Sequence, residues 1–158
     1  AEDADYLFVM MGCFATKAKQ AVIQCREAGI KIGLVRPRLL RPFPKQKFIQ
    51  AFSGKKALAI IDQNLSMGKG GVLHTEITSA LYGVSGAPPI VASFIGGLGG
   101  RDISQEELFQ MAETIREATK TGVTPEPRLL YTELELREFR KLQAIAGVER
   151  HEIKEQRS

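Results

Sequence analysis

A three-layer α/β/α domain on a mostly parallel sheet, followed by an appended helical arm, is the fold class the sequence predicts. The sheet is read from four apolar runs, Tyr6 to Met11, Ile30 to Val35, Ala57 to Asp62 and Pro88 to Ile95. They are short and lack polar alternation, as in strands covered on both faces. Between them lie segments with apolar residues at helical spacing, and alternating strands and helices give a parallel sheet with helices on its faces. The length fixes the scale. A chain of 158 residues suits one domain at ~150 residues each and buries roughly 70% of its unfolded surface.

Taken in order, the run Tyr6 to Met11 ends at Gly12. Ala18, Ala21, Val22, Cys25 and Ala28 then share one face of a helix predicted from Phe14 to Ala28, which Gly29 stops. After the second strand, Pro37, Pro42 and Pro44 break regular structure. A short helix from Lys45 to Phe52 carries the stripe Phe48, Ile49, Phe52 and closes at Ser53-Gly54. The third strand runs into a glycine-rich turn, Gln63 to Gly71, and a helix from Val72 to about Tyr82. The fourth is followed by Gly96-Gly97-Leu98-Gly99-Gly100-Arg101-Asp102. Ser104-Gln105-Glu106-Glu107 offers a capping box for a helix from Glu106 to Thr119, with Leu108, Met111, Ala112 and Ile115 facing the core. The compact domain is drawn at residues 1–122. Residues 123–158 are read as the linker Thr124-Pro125-Glu126-Pro127, a helical arm striped by Leu129, Leu136, Phe139, Leu142 and Ala146, and a polar tail.

Composition removes several classes of function. Hydrophobic residues at 44% and charged residues at 25% exclude a disordered or fibrous chain. No apolar run reaches the ~18 residues of a membrane-spanning helix, so no membrane partner is expected. The start, Ala1-Glu2-Asp3-Ala4-Asp5, is acidic and unlike a secretory signal. It also lacks an initiator methionine, as in a domain cut from a longer chain or a processed product. Cys13 and Cys25 are the two cysteines, and His74 and His151 the two histidines. These exclude a disulfide framework and a four-ligand zinc site and fit a reducing cytoplasm. The net charge is +4, and eight basic residues with no acid lie between Ala28 and Ile61. That suggests an anionic partner, but the chain has no Trp and no nucleic-acid motif.

Two glycine loops invite comparison with phosphate sites. Gly68-Lys69-Gly70-Gly71 fails the P-loop pattern because position 63 is Gln, and fails the dinucleotide fingerprint because Leu73 replaces its third glycine. A glycine turn opening a helix still exposes N–H groups that can hold an anion, but tight-turn or subunit-contact glycines are the favoured reading. In Gly96, Gly97, Gly99 and Gly100, missing Cβ atoms allow close backbone approach, while Arg101 and Asp102 can meet a partner or cap the next helix. Arg36, Arg38 and Arg41 follow a strand's carboxyl end, where open α/β sheets bind ligands or partners. A solvated basic edge is the equal alternative. His74 and Glu76 are two apart on a helix and do not share a face, so a metal role is not expected. Cys13, without a nearby base, is read as a small packed residue. These readings leave an interface or an anion contact open at the arginines and glycine loops, and assign no catalytic, cofactor or metal residue.

Four blocks go further: Ile32 to Pro44, Asp62 to Glu76, Ser79 to Gly83 and Phe94 to Ile103. Together they resemble the second domain of the alpha chain in the pyruvate:ferredoxin oxidoreductase family, a domain similar to the C-terminal domain of transketolase. The resemblance covers roughly Asp5 to Thr121, and the Arg-Pro-Arg run favours the pyruvate or 2-oxoisovalerate branch over the 2-oxoglutarate one. It implies oxidative decarboxylation of a 2-oxoacid with coenzyme A, giving acyl-CoA, CO2 and reduced ferredoxin. Thiamine diphosphate, Mg and iron–sulfur clusters are implied for the whole complex and none for this domain alone. The implied partners are the rest of the alpha chain, the beta and cluster-carrying subunits, and ferredoxin through the complex. This domain is then expected to be an architectural part, inactive in isolation. A stand-alone anion- or nucleotide-phosphate-binding module is the alternative.

Overall fold

Five parallel strands in the order β2-β1-β3-β4-β5 form the sheet in the computed structural model, which describes residues 2–66, 68–131, 134–138, 140–142 and 144–145. They are β1 (Tyr6–Met10), β2 (Ile32–Val35), β3 (Ala57–Asp62), β4 (Ile90–Ile95) and β5 (Arg128–Leu129). The helices are α1 (Phe14–Glu27), α2 (Lys45–Phe52), α3 (Val72–Leu81) and α4 (Gln105–Thr121), with one 3-10 turn at Leu98–Gly100. No described helix is long and apolar enough to cross a membrane.

The strands lack alternation because each face has its own core. Phe8, Met10, Ala57, Ala59, Ile61, Ala92 and Phe94 point to the layer where α1 packs on α4. Leu7, Val9, Leu58 and Ile60 point to the layer where α2 packs on α3. Both sets are buried, so every position along β1 and β3 had to be apolar or satisfied internally. Alanines on the α1 layer, both in the sheet and at Ala15, Ala18 and Ala21 of the helix, let backbones approach closely. Opposite them, the rings of Phe43, Phe48 and Phe52 form a ladder with centroids 5.1 and 5.4 Å apart.

The helix ends follow the sequence signals. Gly29 is left-handed at φ 82°, and Ile30 N–H donates to the Cys25 carbonyl at 2.8 Å, turning the chain out of α1. Ile30 is buried but precedes β2, which begins two residues later than expected. Both halves of the Ser104–Glu107 capping box form at α4, and Gly122 at φ 72° closes it.

Beyond residue 122 the chain returns to the sheet. Pro125 and Pro127 hold the following chain extended, and Arg128 and Leu129 pair in parallel with Phe94 and Ile95. Leu130 N–H donates to Ile95 O at 2.8 Å, and its side chain enters the core at 5% exposure. Leu129 is therefore a strand residue and not the start of a helical stripe. The described residues within 134–145 are helical, with Leu136 and Leu142 exposed. Phe139, Ala146 and the polar tail lie outside the described residues.

Candidate functional site at the carboxyl edge of the sheet

A parallel sheet delivers all its strand-to-helix loops to one edge, and every singled-out residue arrives there. Arg36, Arg38 and Arg41 follow β2; Gly68 to Gly71 follow β3; Gly96, Gly97, Gly99, Gly100, Arg101 and Asp102 follow β4. The chain departs in opposite directions from β1 and β3, which makes their carboxyl ends the switch point of the sheet. A crevice of about 180 Å³ opens there, lined by Met11, Gly12, Leu40, Gln63, Asn64 and Val72 among others. Gln63 spans it. Its Nε2 donates to Met11 O at 2.8 Å, and its side chain packs where Cβ atoms on Gly12 and Gly97 would stand, 3.2 and 3.4 Å away.

Asp62 and Asn64 organise the start of α3. Asp62 is 2% exposed. Its Oδ1 accepts from Leu73 N–H at 2.8 Å and its Oδ2 from His74 N–H at 3.0 Å. Asn64 Oδ1 accepts from Val72 N–H at 3.1 Å. The N–H groups that a glycine turn would offer to an anion are thus taken by the chain's own side chains. Gly71 is required for close approach: a Cβ there would lie 2.1 Å from Asp62 Oδ2. The turn itself is a small hairpin, with Ser66 bridged to Gly70 and Gly68 and Gly70 left-handed at φ 75° and 80°.

The second glycine loop is also drawn inward. A Cβ on Gly96 would meet Leu130 at 2.6 Å, and one on Gly97 would meet Phe14 at 2.8 Å. Arg101 donates through Nε to Glu135 at 2.8 Å and through Nη2 to Glu107 at 2.9 Å. Burial pushes the Glu107 carboxyl up, but the bonds from Arg101 and Ser104 outweigh it and hold the group below its usual range. Lys17 pairs with Asp102 and lowers that carboxyl as well. Only the tip, Gly99 and Gly100, is exposed within the four glycines.

The arginine loop faces outward. Arg36 Nη2 donates to Gly12 O at 2.9 Å and Arg41 Nη2 pairs with Glu76 at 2.5 Å, while Arg38 and Lys69 are exposed. Glu76 is thereby committed away from His74, whose Nε2 lies 3.4 Å from Val91 O. Among the described residues, no group of three or more His, Cys, Asp or Glu could hold a metal ion. Cys13 is exposed and not packed, because it caps α1 outside the core while Ala15 and Ala18 turn inward. Cys25 is buried, and burial, reinforced by Glu113, pushes its thiol up to about 11. Sequence reasoning missed Asp62, Gln63 and Asn64. The available signal was an Asp-x-Asn pair ahead of a glycine turn into a helix.

Fold and site together define a parallel α/β domain whose carboxyl-edge loops are braced by its own carboxylates and amides. Residues 4–108 match the family model "Pyruvate:ferredoxin oxidoreductase core domain II", and the chain belongs to that family. Ketoisovalerate oxidoreductase subunit VorA of Pyrococcus horikoshii is 38% identical over 121 residues, 77% of this chain and 30% of that protein. Pyruvate synthase subunit PorA of Pyrococcus furiosus is 35% identical over 126 residues, 80% of this chain and 32% of that one. PorA of Thermotoga maritima is 36% identical over 112 residues, 71% and 28% respectively. The chain spans about a third of the length of these relatives.

Proposed function

We propose that this chain is the assembly domain of a 2-oxoacid:ferredoxin oxidoreductase acting on pyruvate, a reading supported by the Arg-Pro-Arg run and by its PorA relatives. In this reading the whole complex converts a 2-oxoacid and coenzyme A to acyl-CoA, CO2 and reduced ferredoxin in the cytoplasm. The domain's part is to hold other regions of the alpha chain and the beta and cluster-carrying subunits in place. The observation that carries this is the Asp62 carboxylate seated on the first N–H groups of α3. A helix start already filled from within supports a braced scaffold over a phosphate cradle.

The start of α3 and the two cysteines do not fit the cofactors of such a complex. Thiamine diphosphate would need anion donors that α3 has already committed. Two cysteines in the whole sequence fall short of the four thiolates of an iron–sulfur cluster. Thiamine diphosphate, Mg and the clusters are therefore assigned to the rest of the complex, and no catalytic step is assigned here.

The test is reconstitution. Co-expressed with the rest of the alpha chain and the remaining subunits, the chain should support coenzyme A-dependent reduction of ferredoxin by pyruvate, with 2-oxoisovalerate run beside it to decide the acid. The pure 158-residue chain should neither turn over nor bind phosphate, coenzyme A or thiamine diphosphate in a calorimeter. Turnover, or saturable binding of one of these anions, would replace the scaffold reading with that of a ligand-binding module.

A further inference from the structure

The carboxyl edge separates into loops that close on the domain and loops that face away from it. Gly71, Gly96, Gly97, Arg101 and Asp102 are consumed by contacts within the chain. The loop between β2 and α2 and the turn closed by Ser66 and Gly70 are not. They flank the first turns of α3, to which Arg41 is tied through Glu76, and Leu40 lines the same crevice as Val72 and Leu73. We propose that these two loops form one preorganised cationic surface that docks an acidic protein surface on an adjoining subunit of the oxidoreductase. The proposal rests on the assembly reading above.

Charge points to the partner. Arg36, Arg38, Lys45 and Lys69 are exposed, and no ion pair to any of them occurs among the described residues. Two acids of this edge are spent: Glu76 on Arg41, and Asp62 beneath α3. Four uncompensated cations on one edge attract and orient an anionic surface, and do so more strongly at low salt.

Rigidity and shape narrow the class. Pro37, Pro42 and Pro44 restrict one loop, the Arg36 bond to Gly12 O pins its start, and Phe43 stacks on Phe48 at its end. The hairpin is held by Ser66 N–H on Gly70 O at 2.8 Å and Gly70 N–H on Ser66 O at 3.1 Å. Surfaces ordered beforehand lose less freedom on binding. Leu39 and Leu65, 52% and 47% exposed, stand among the cations and supply the apolar contacts of a protein interface. A nucleotide fits less well. The crevice at this edge is about 180 Å³ and none of the four cations lines it, whereas small-ligand sites are typically about 300–1,000 Å³.

The experiment is a charge reversal in the assembled complex. Arg38→Glu combined with Lys69→Glu should leave the circular dichroism unchanged and weaken incorporation at least about tenfold near physiological salt. Incorporation of the parent should fall as salt rises from about 0.05 to about 0.5 M, and that of the double variant should hardly respond. Lys31→Glu, a reversal before β2 at the opposite edge, should behave as the parent. A double variant that incorporates with the parent's affinity and salt response overturns the proposal alone. So does one that incorporates normally but shows a raised KM for coenzyme A, which would make the rim a polyphosphate site. A parent chain that enters no complex at all overturns the assembly reading itself.

Discussion

Asp62 is buried, and a carboxyl group taken out of water is tolerated only when its oxygens are hydrogen-bonded. Both are, by N–H groups eleven and twelve residues further on. Asp62→Ala leaves two donors at the start of α3 unpaired and should cost about 2–4 kcal/mol, read as a shift in the urea midpoint with an unchanged slope. Gly71→Ala presses a methyl into the same carboxylate, 2.1 Å from Oδ2, and should cost at least about 1–3 kcal/mol as overpacking. Its φ of −76° suits any residue, so the effect tests steric contact without backbone strain. A Gly71→Ala protein as stable as the parent would mean that Asp62 does not sit under that turn. Sequence could place a glycine turn here but not its purpose. Ordinary capping joins residues two or three apart, and a carboxylate reaching across eleven becomes visible only once β3 and α3 are packed.

The elements were legible in proportion to how local their causes are. The Ser-x-x-Glu signature and the Leu108 to Ile115 face act within a turn or two, and α4 formed, starting one residue before and ending two residues beyond the expected Glu106 to Thr119. β5 was not legible because two residues, one of them charged, carry no period, and β4 supplies their pairing from more than thirty residues away. At α4 the cap has a consequence for acid stability. The folded Glu107 carboxyl lies below its ordinary value of 4.5 because the Arg101 and Ser104 bonds outweigh its burial. A depressed acid contributes stability that is complete above its unfolded value and is lost as the pH falls through the folded one. The parent should therefore lose more melting temperature than Glu107→Gln as the pH drops below 4.5. Parallel declines in the two proteins would show that the Arg101–Glu107 pair carries no linked proton.

For the molecule as a whole, the question is where the domain stops. A stripe spaced for a helix suggested an arm separate from a domain ending at 122, but Leu130 fills the hollow over Gly96 and its N–H bonds β4. Removing everything after Gly122 takes away one strand, exposes the flank of Phe94 and Ile95, and empties the site of one leucine. The leucine alone is worth about 1.5–3 kcal/mol of burial, which for a domain of this size corresponds to a fall of roughly 5–15 °C in melting temperature. The bared edge of β4 should also promote association of the truncated chain, since an unpaired apolar strand is a template for another. Ending the chain after Tyr131 keeps β5 and Leu130 and should restore most of the loss. Among the described residues, the contacts that this shorter cut still removes include the bond from Arg101 to Glu135, an acid 40% exposed, and a pair that wet contributes little. The two truncations thus divide the C-terminal segment by cause: residues 128–130 stabilise the domain through the sheet and core, and the exposed helical residues beyond them add little to its own stability. Equal melting temperatures for the two would reverse that division.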